Sequence, residues 1–131
     1  MTNRTILIFG ESQKGELQKF LFLKTLPDLA EALGEPTETG LGIHMAIQAM
    51  LFNQSVLFYK VKEEGFNIDH YLMGFKLLEK EFTSILLTAI ALPGASSPPI
   101  LEIADSLCKL HKSLILFNEK DLYDFMTRSS S

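Results

Sequence analysis

Four short apolar runs dominate the chain: residues 5–9 (TILIF), 55–61 (SVLFYKV), 84–92 (SILLTAIAL) and 113–117 (SLILF). Residues 5–9 are short, β-branched and apolar and end at Gly10, the pattern of a strand buried on both faces, residues 84–92 read as a central buried strand, and the other two runs read as strands. Between them lie segments whose apolar residues recur at helical spacing. Strands that alternate with helices are joined as parallel neighbours through right-handed crossovers. The expected fold is therefore α/β, a three-layer sandwich with helices on both faces. Its sheet is mostly parallel, with about four central strands and a short edge strand. Leu7, Leu57, Leu87, Ile90 and Ile115 read as core positions.

The edge strand is expected at residues 19–24 (KFLFLK), where lysines bracket the apolar run. Charged flanks of this kind protect an edge from aggregation. Phe20, Leu21, Phe22 and Leu23 are thus the candidate interaction residues, because an open edge can accept a strand from another chain.

Four helices are expected between the strands. Thr25, Pro27 and Gly34 bracket the first, in the order of an N-terminal cap, an early proline and a terminating glycine. The second carries Ile43, Ala46, Ile47, Met50 and Leu51 at helical spacing and ends near Asn53. Ile68, Tyr71, Leu72, Phe75 and Leu78 form the stripe of the third, with Asn67 available as a cap. The fourth follows Ser97-Pro98-Pro99 and carries Ile100, Ile103, Ala104, Leu107 and Leu110. A short helix over 118–126 precedes a serine-rich end, and residues 127–131 read as a flexible tail. The 131 residues suit one domain.

Twelve basic residues against sixteen acidic ones leave a formal charge of −4. An electrostatic hold on a phosphate backbone has no source in that balance, so nucleic acid is not an expected partner. No apolar run approaches the ~20 residues of a membrane helix, and the N-terminal run lacks the form of a secretory signal. Cytoplasmic synthesis is expected. The single cysteine allows neither an intramolecular disulfide nor a CxxC zinc site.

Ligands of an open parallel sheet bind beyond the carboxyl ends of its strands. The loops to inspect are Gly10-Glu11-Ser12, Lys62-Glu63-Glu64, Pro93-Gly94-Ala95-Ser96 and Asn118-Glu119-Lys120-Asp121. None carries a dinucleotide fingerprint, a phosphate loop or a nucleophile elbow. Gly94 to Ser97 before a helix offers backbone N–H groups to an anion, although serines capping that helix are the simpler reading. Glu63 and Glu64 point to opposite sides of an extended chain and read as surface residues rather than as a carboxylate pair. Cys108 and His111 share a helix face, but the position of Cys108 beside Ala104 and Leu107 marks a buried structural thiol. His44 and His70 lack a second ligand at helical spacing. No cofactor or metal is expected.

The order of ILIFGESQKGE, FLFLKTLPDLAEALGEP, AIQAMLFNQSVLFYKV and LLTAIALPGASSPPILEIADSLC, closed by SLILF, resembles the α/β domain of the phage contractile-tail sheath family. The resemblance spans nearly the whole chain. It implies a non-enzymatic structural or interaction protein of a phage tail or contractile injection system, as a minimal sheath-like subunit or a sheath-derived accessory protein. The implied partners are sheath, tube or baseplate-like subunits. The further domain and terminal arms of sheath proteins have no counterpart expected here, so self-association alone is expected to be weak. The alternative is a small Rossmann-like enzyme or ligand-binding domain using Gly10, Glu11, Ser12, Gly94, Ser96 and Asn118.

Overall fold

A computed structural model of the chain describes residues 5–81 and 87–129. In chain order the elements are β1 (Thr5–Gly10), β2 (Phe20–Leu23), α1 (Leu26–Leu33), α2 (Gly42–Leu51), β3 (Ser55–Lys60), α3 (Ile68–Glu81), β4 (Leu87–Ala91), α4 (Pro98–His111), β5 (Leu114–Leu116) and α5 (Glu119–Ser129). The strands form one sheet in the order β2-β3-β1-β4-β5. β1 pairs in parallel with β3 from Thr5 opposite Ser55 to Gly10 opposite Lys60, and β4 pairs in parallel with β1 and β5. β2 is antiparallel to β3 and forms one edge. The architecture is the expected α/β sandwich.

The two faces of the sheet separate cleanly along each strand. Ile6, Ile8, Val56 and Phe58 pack with α1, α2 and α5, whereas Leu7, Phe9, Leu57 and Tyr59 pack with α3 and α4. Alternation of side chains along a strand sends neighbours to opposite faces, and both faces here are covered by helices. Leu7, Leu57, Leu87 and Ile90 are buried as expected.

The expected central position of the 113–117 strand is corrected. β5 is the second edge, with one strand neighbour. Its Leu114 is 54% exposed and Ile115 is only partly buried. Residues 84–86 of the expected fourth strand lie outside the described residues, and the strand proper begins at Leu87.

Local signals place α1 well. Thr25 Oγ1 accepts the Asp28 N–H at 3.2 Å, and Gly34 closes the helix with φ near 78°. Ser97 precedes α4 in extended conformation but makes no side-chain cap hydrogen bond. Four expected stripe residues turn outward: Leu51, Ile68, Ile103 and Leu110 are 67%, 39%, 37% and 72% exposed. Met45 and Ala49 on α2 and Gly74 on α3 are buried instead. α5 is longer than the sequence suggests and continues to Ser129, into the segment read as a tail.

Candidate functional site

From β1 the chain winds first to β3 on one side and then to β4 and β5 on the other. The switch point therefore lies at the carboxyl ends of β1 and β4, where a doubly wound sheet ordinarily leaves a ligand crevice. Gly10 ends β1 and faces the start of α2 so closely that a Cβ on it would lie 2.8 Å from the Gly42 Cα. Only glycine at both positions permits that approach.

Glu64, in the loop after β3, fills this place. Its Oε2 accepts N–H groups from Glu11 and Gly42, both at 2.9 Å, and its Oε1 accepts the Leu41 N–H at 2.7 Å. The carboxylate thus occupies the anion position at the N-terminus of α2, where unsatisfied N–H groups and the helix dipole favour negative charge. Glu11 answers from the loop after β1. Its Oε2 accepts the Glu64 N–H at 2.9 Å, and its Oε1 accepts hydroxyl hydrogen bonds from Thr37 at 3.2 Å and Thr39 at 3.3 Å. The two residues form a reciprocal clasp that joins the loops after β1 and β3 to the 37–42 segment.

Next to the clasp, Gly65 adopts φ near +86° and lies directly against the Gly94 carbonyl, so the loop after β3 closes on the loop after β4. Tyr71 Oη accepts the Gly65 N–H at 2.7 Å and anchors the same loop from α3. The clasp and this contact engage the backbone groups at the switch point with the chain's own groups.

Burial sets the electrostatics. Glu64 is 8% exposed, which corrects the expectation that it is a surface residue, whereas Glu63 beside it is exposed. Desolvation pushes the Glu64 carboxyl above its ordinary value, the three backbone N–H groups pull it down, and the neighbouring Glu11 charge adds to the rise. Tyr71 is pushed up to about 12, chiefly by burial. Tyr59 also rises to about 12 through burial, and its Oη has no hydrogen-bond partner among the described residues.

The expected loop residues are only partly brought together. Gly10, Glu11, Glu64 and Gly94 converge. Ser12 is buried and donates its hydroxyl to the Lys14 carbonyl at 2.5 Å. Ser96 is exposed and borders a shallow groove with Phe66, Asn67 and Asp69. Asn118 lies beyond the edge strand β5, and its Oδ1 caps α5 by accepting the Asp121 N–H at 2.9 Å. Asp121 in turn accepts the Phe117 N–H at 2.9 Å. Outside the clasp, Glu11, Thr39, Lys62, Glu63 and Asn67 line a small polar cleft open to solvent.

Sequence reasoning missed Leu41, Gly42, Thr37 and Thr39 as members of this site. The glycine-rich stretch 40–42 ahead of an apolar helix is the signal that marks them. Cys108 is buried on α4 as expected, and burial raises its thiol, helped by the charge of Asp105. Among the described residues no group of three or more His, Cys, Asp or Glu side chains is placed to hold a metal ion. No helix among them is long and apolar enough to cross a membrane.

Set beside models of protein families, curated proteins and solved structures, the chain matches none of them.

Proposed function

We propose that this chain is a structural or interaction protein, resembling a contractile tail sheath subunit domain, whose function resides in its surfaces. The observation that carries this reading is the engagement of the switch-point N–H groups by the chain's own Glu64. A ligand-binding α/β domain keeps its N–H groups at the switch point available to an anion or cofactor. Here Glu64 engages the N–H groups of Glu11, Leu41 and Gly42, and Gly65 rests on Gly94. That occupancy weighs against the enzyme or ligand-binding alternative.

The acceptor surface is β2. It is the antiparallel edge of the sheet, with Phe22 43% exposed and Lys19 and Lys24 exposed at its ends. A partner strand gains main-chain hydrogen bonds along such an edge and side-chain contacts at alternate positions. In a sheath-like assembly, head-to-tail contacts that do not close build a helical tube. Alone, the chain is expected to remain monomeric or form small oligomers, as read by size-exclusion chromatography with light scattering.

The test is assembly. The purified chain is mixed with tube, sheath and baseplate subunits of a contractile injection system from the same genome and viewed by electron microscopy. Incorporation into particles is the expected result. Exclusion from them, together with a nucleotide or metabolite that raises the melting temperature, would overturn the proposal in favour of a ligand-binding domain.

A further inference from the structure

We infer that the groove between β5 and α5 receives an extended segment of a partner protein, one that carries a lysine or arginine two residues away from an apolar side chain. The inference rests on the interaction reading above and adds to it a second surface, with the form and charge of what binds there.

The groove exists because α5 leans away from the strand it follows. α4 packs on β5 from one face of the sheet, whereas on the other face α5 packs against α2. A space of about 360 Å³ is left beside β5, lined by Leu114, Leu116, Phe117, Asp121, Asp124 and Phe125. Leu116 is buried and Phe125 partly so, but Leu114 and Phe117 remain exposed.

The backbone of β5 is open along the same edge. β4 is its only strand neighbour among the described residues. The Leu116 carbonyl accepts the Leu92 N–H at 2.8 Å and so faces β4. Successive residues of a strand turn these groups to opposite edges, which sends the Ile115 N–H and C=O outward. The N–H groups on either side are already engaged. Ser113 donates to the Cys108 carbonyl at 2.8 Å, and Phe117 donates to Asp121 Oδ2 at 2.9 Å. An added strand therefore meets β5 at Ile115 and bonds to its N–H and its C=O, the main-chain part of strand addition.

That register decides where the incoming side chains go. The residue opposite Ile115 lies on the α4 face, and the residues before and after it enter the groove beside Leu114 and Leu116. One of these two meets Leu114 and Phe125, which suit an apolar side chain. The other lies toward Phe117 and Asp121.

Charge selects the occupant. Asp121 has no ion pair among the described residues, and Asp124 has only an exposed one, with Lys120. Two copies of this chain joined through their β5 edges would bring these aspartates together, a like-charge contact that disfavours a second copy. A lysine or arginine on the incoming strand gains both carboxylates instead.

The test titrates the full 15N-labelled chain to millimolar concentrations of an extended eight-residue peptide with one lysine and one leucine two positions apart. The amides of Ile115, Phe117 and Asp121 to Phe125 should shift, and those of β2 should not. A peptide with glutamate in place of the lysine should bind roughly fivefold more weakly, the scale of one or two exposed pairs. N-methylation of the peptide residue that faces Ile115 should abolish binding. Leu114→Glu should weaken the lysine peptide while the circular dichroism of the chain is unchanged. If that variant unfolds, Asp124→Lys should still reverse the preference between lysine and glutamate. Absence of shifts, shifts elsewhere, equal binding of both peptides, or full binding of the N-methylated one would overturn the inference. Concentration-dependent shifts at Ile115 without peptide, with dimers in light scattering, would assign the groove to a second copy and overturn it too. Failure at β5 in a chain that still enters assembled particles leaves the interaction reading standing, whereas exclusion from those particles counts against that reading itself.

Discussion

Glu11 and Glu64, 53 residues apart in the chain, each accept the other's backbone N–H at 2.9 Å. The pair welds the ends of β1 and β3 into one unit and places a carboxylate where a doubly wound sheet would otherwise receive a ligand.

Removing that carboxylate leaves the N–H groups of Glu11, Leu41 and Gly42 without their acceptor. Buried donors left unsatisfied cost about 1–3 kcal/mol each before water offsets part of the loss. Glu64→Ala is expected to lower stability by about 2–4 kcal/mol in urea unfolding. Glu64→Gln, which keeps one acceptor oxygen, should lose less. An Ala variant as stable as the parent would show that the clasp contributes nothing to the fold.

The pH dependence of the same group has a definite sign. Its folded pKa is raised above the ordinary value of 4.5, mainly by burial, so the folded state holds the proton to higher pH than the unfolded one. The stability linked to this proton is fully present below about 4.5 and is lost as pH rises through the raised value. Other carboxylates titrate as well, so the quantity to follow is the stability of the parent minus that of Glu64→Gln. This difference should fall with rising pH above 4.5 and then level. A difference that grows with pH would mean that the three N–H groups outweigh desolvation.

Leu87 is 1% exposed on β4, and Leu110 is 72% exposed on α4. Leu87→Ala should cost ~2–5 kcal/mol through lost burial and the cavity left behind. Leu110→Ala should change stability by no more than about 0.5 kcal/mol. Denaturant titrations of the two variants check the contrast.

Burial keeps the Cys108 thiol protonated at neutral pH, and thiols in that state react slowly. Reaction with a disulfide reagent should be slow in the native protein and fast in denaturant. Stoichiometric zinc in the purified chain, or loss of an identified activity in folded Cys108→Ser, would give Cys108 and His111 a chemical role.

What the sequence made legible were features written in adjacent residues. Thr25, Pro27 and Gly34 mark the ends of α1 because capping and the left-handed exit are local events. The apolar runs mark the strands for the same reason. Sheet order is a matter of which strands meet, so the placement of β5 at an edge, and with it the exposure of Leu114, was out of reach. Leu51, Ile68 and Leu110 illustrate a related limit: helical spacing defines a stripe, but packing partners choose which part of it is covered. The clasp was half legible. Glu63 is exposed and Glu64 buried, but they lie in a turn after β3 rather than on the extended chain that alternation requires. Which of them turns inward depends on the N–H groups of residues 41 and 42, and these approach only in the folded chain.

The central claim is that this chain works through its surface at β2 rather than through a pocket at its strand ends. Hydrogen exchange of the full chain, alone and mixed with tube, sheath and baseplate subunits of a contractile injection system from the same genome, tests it most directly. The account predicts slowed exchange at the amides of Phe20 to Leu23 on mixing, with the loops at Glu11 and Glu64 unchanged. Unchanged exchange at β2, together with slowed exchange at Glu11, Leu41 and Gly42 when a nucleotide or metabolite is added, would contradict it.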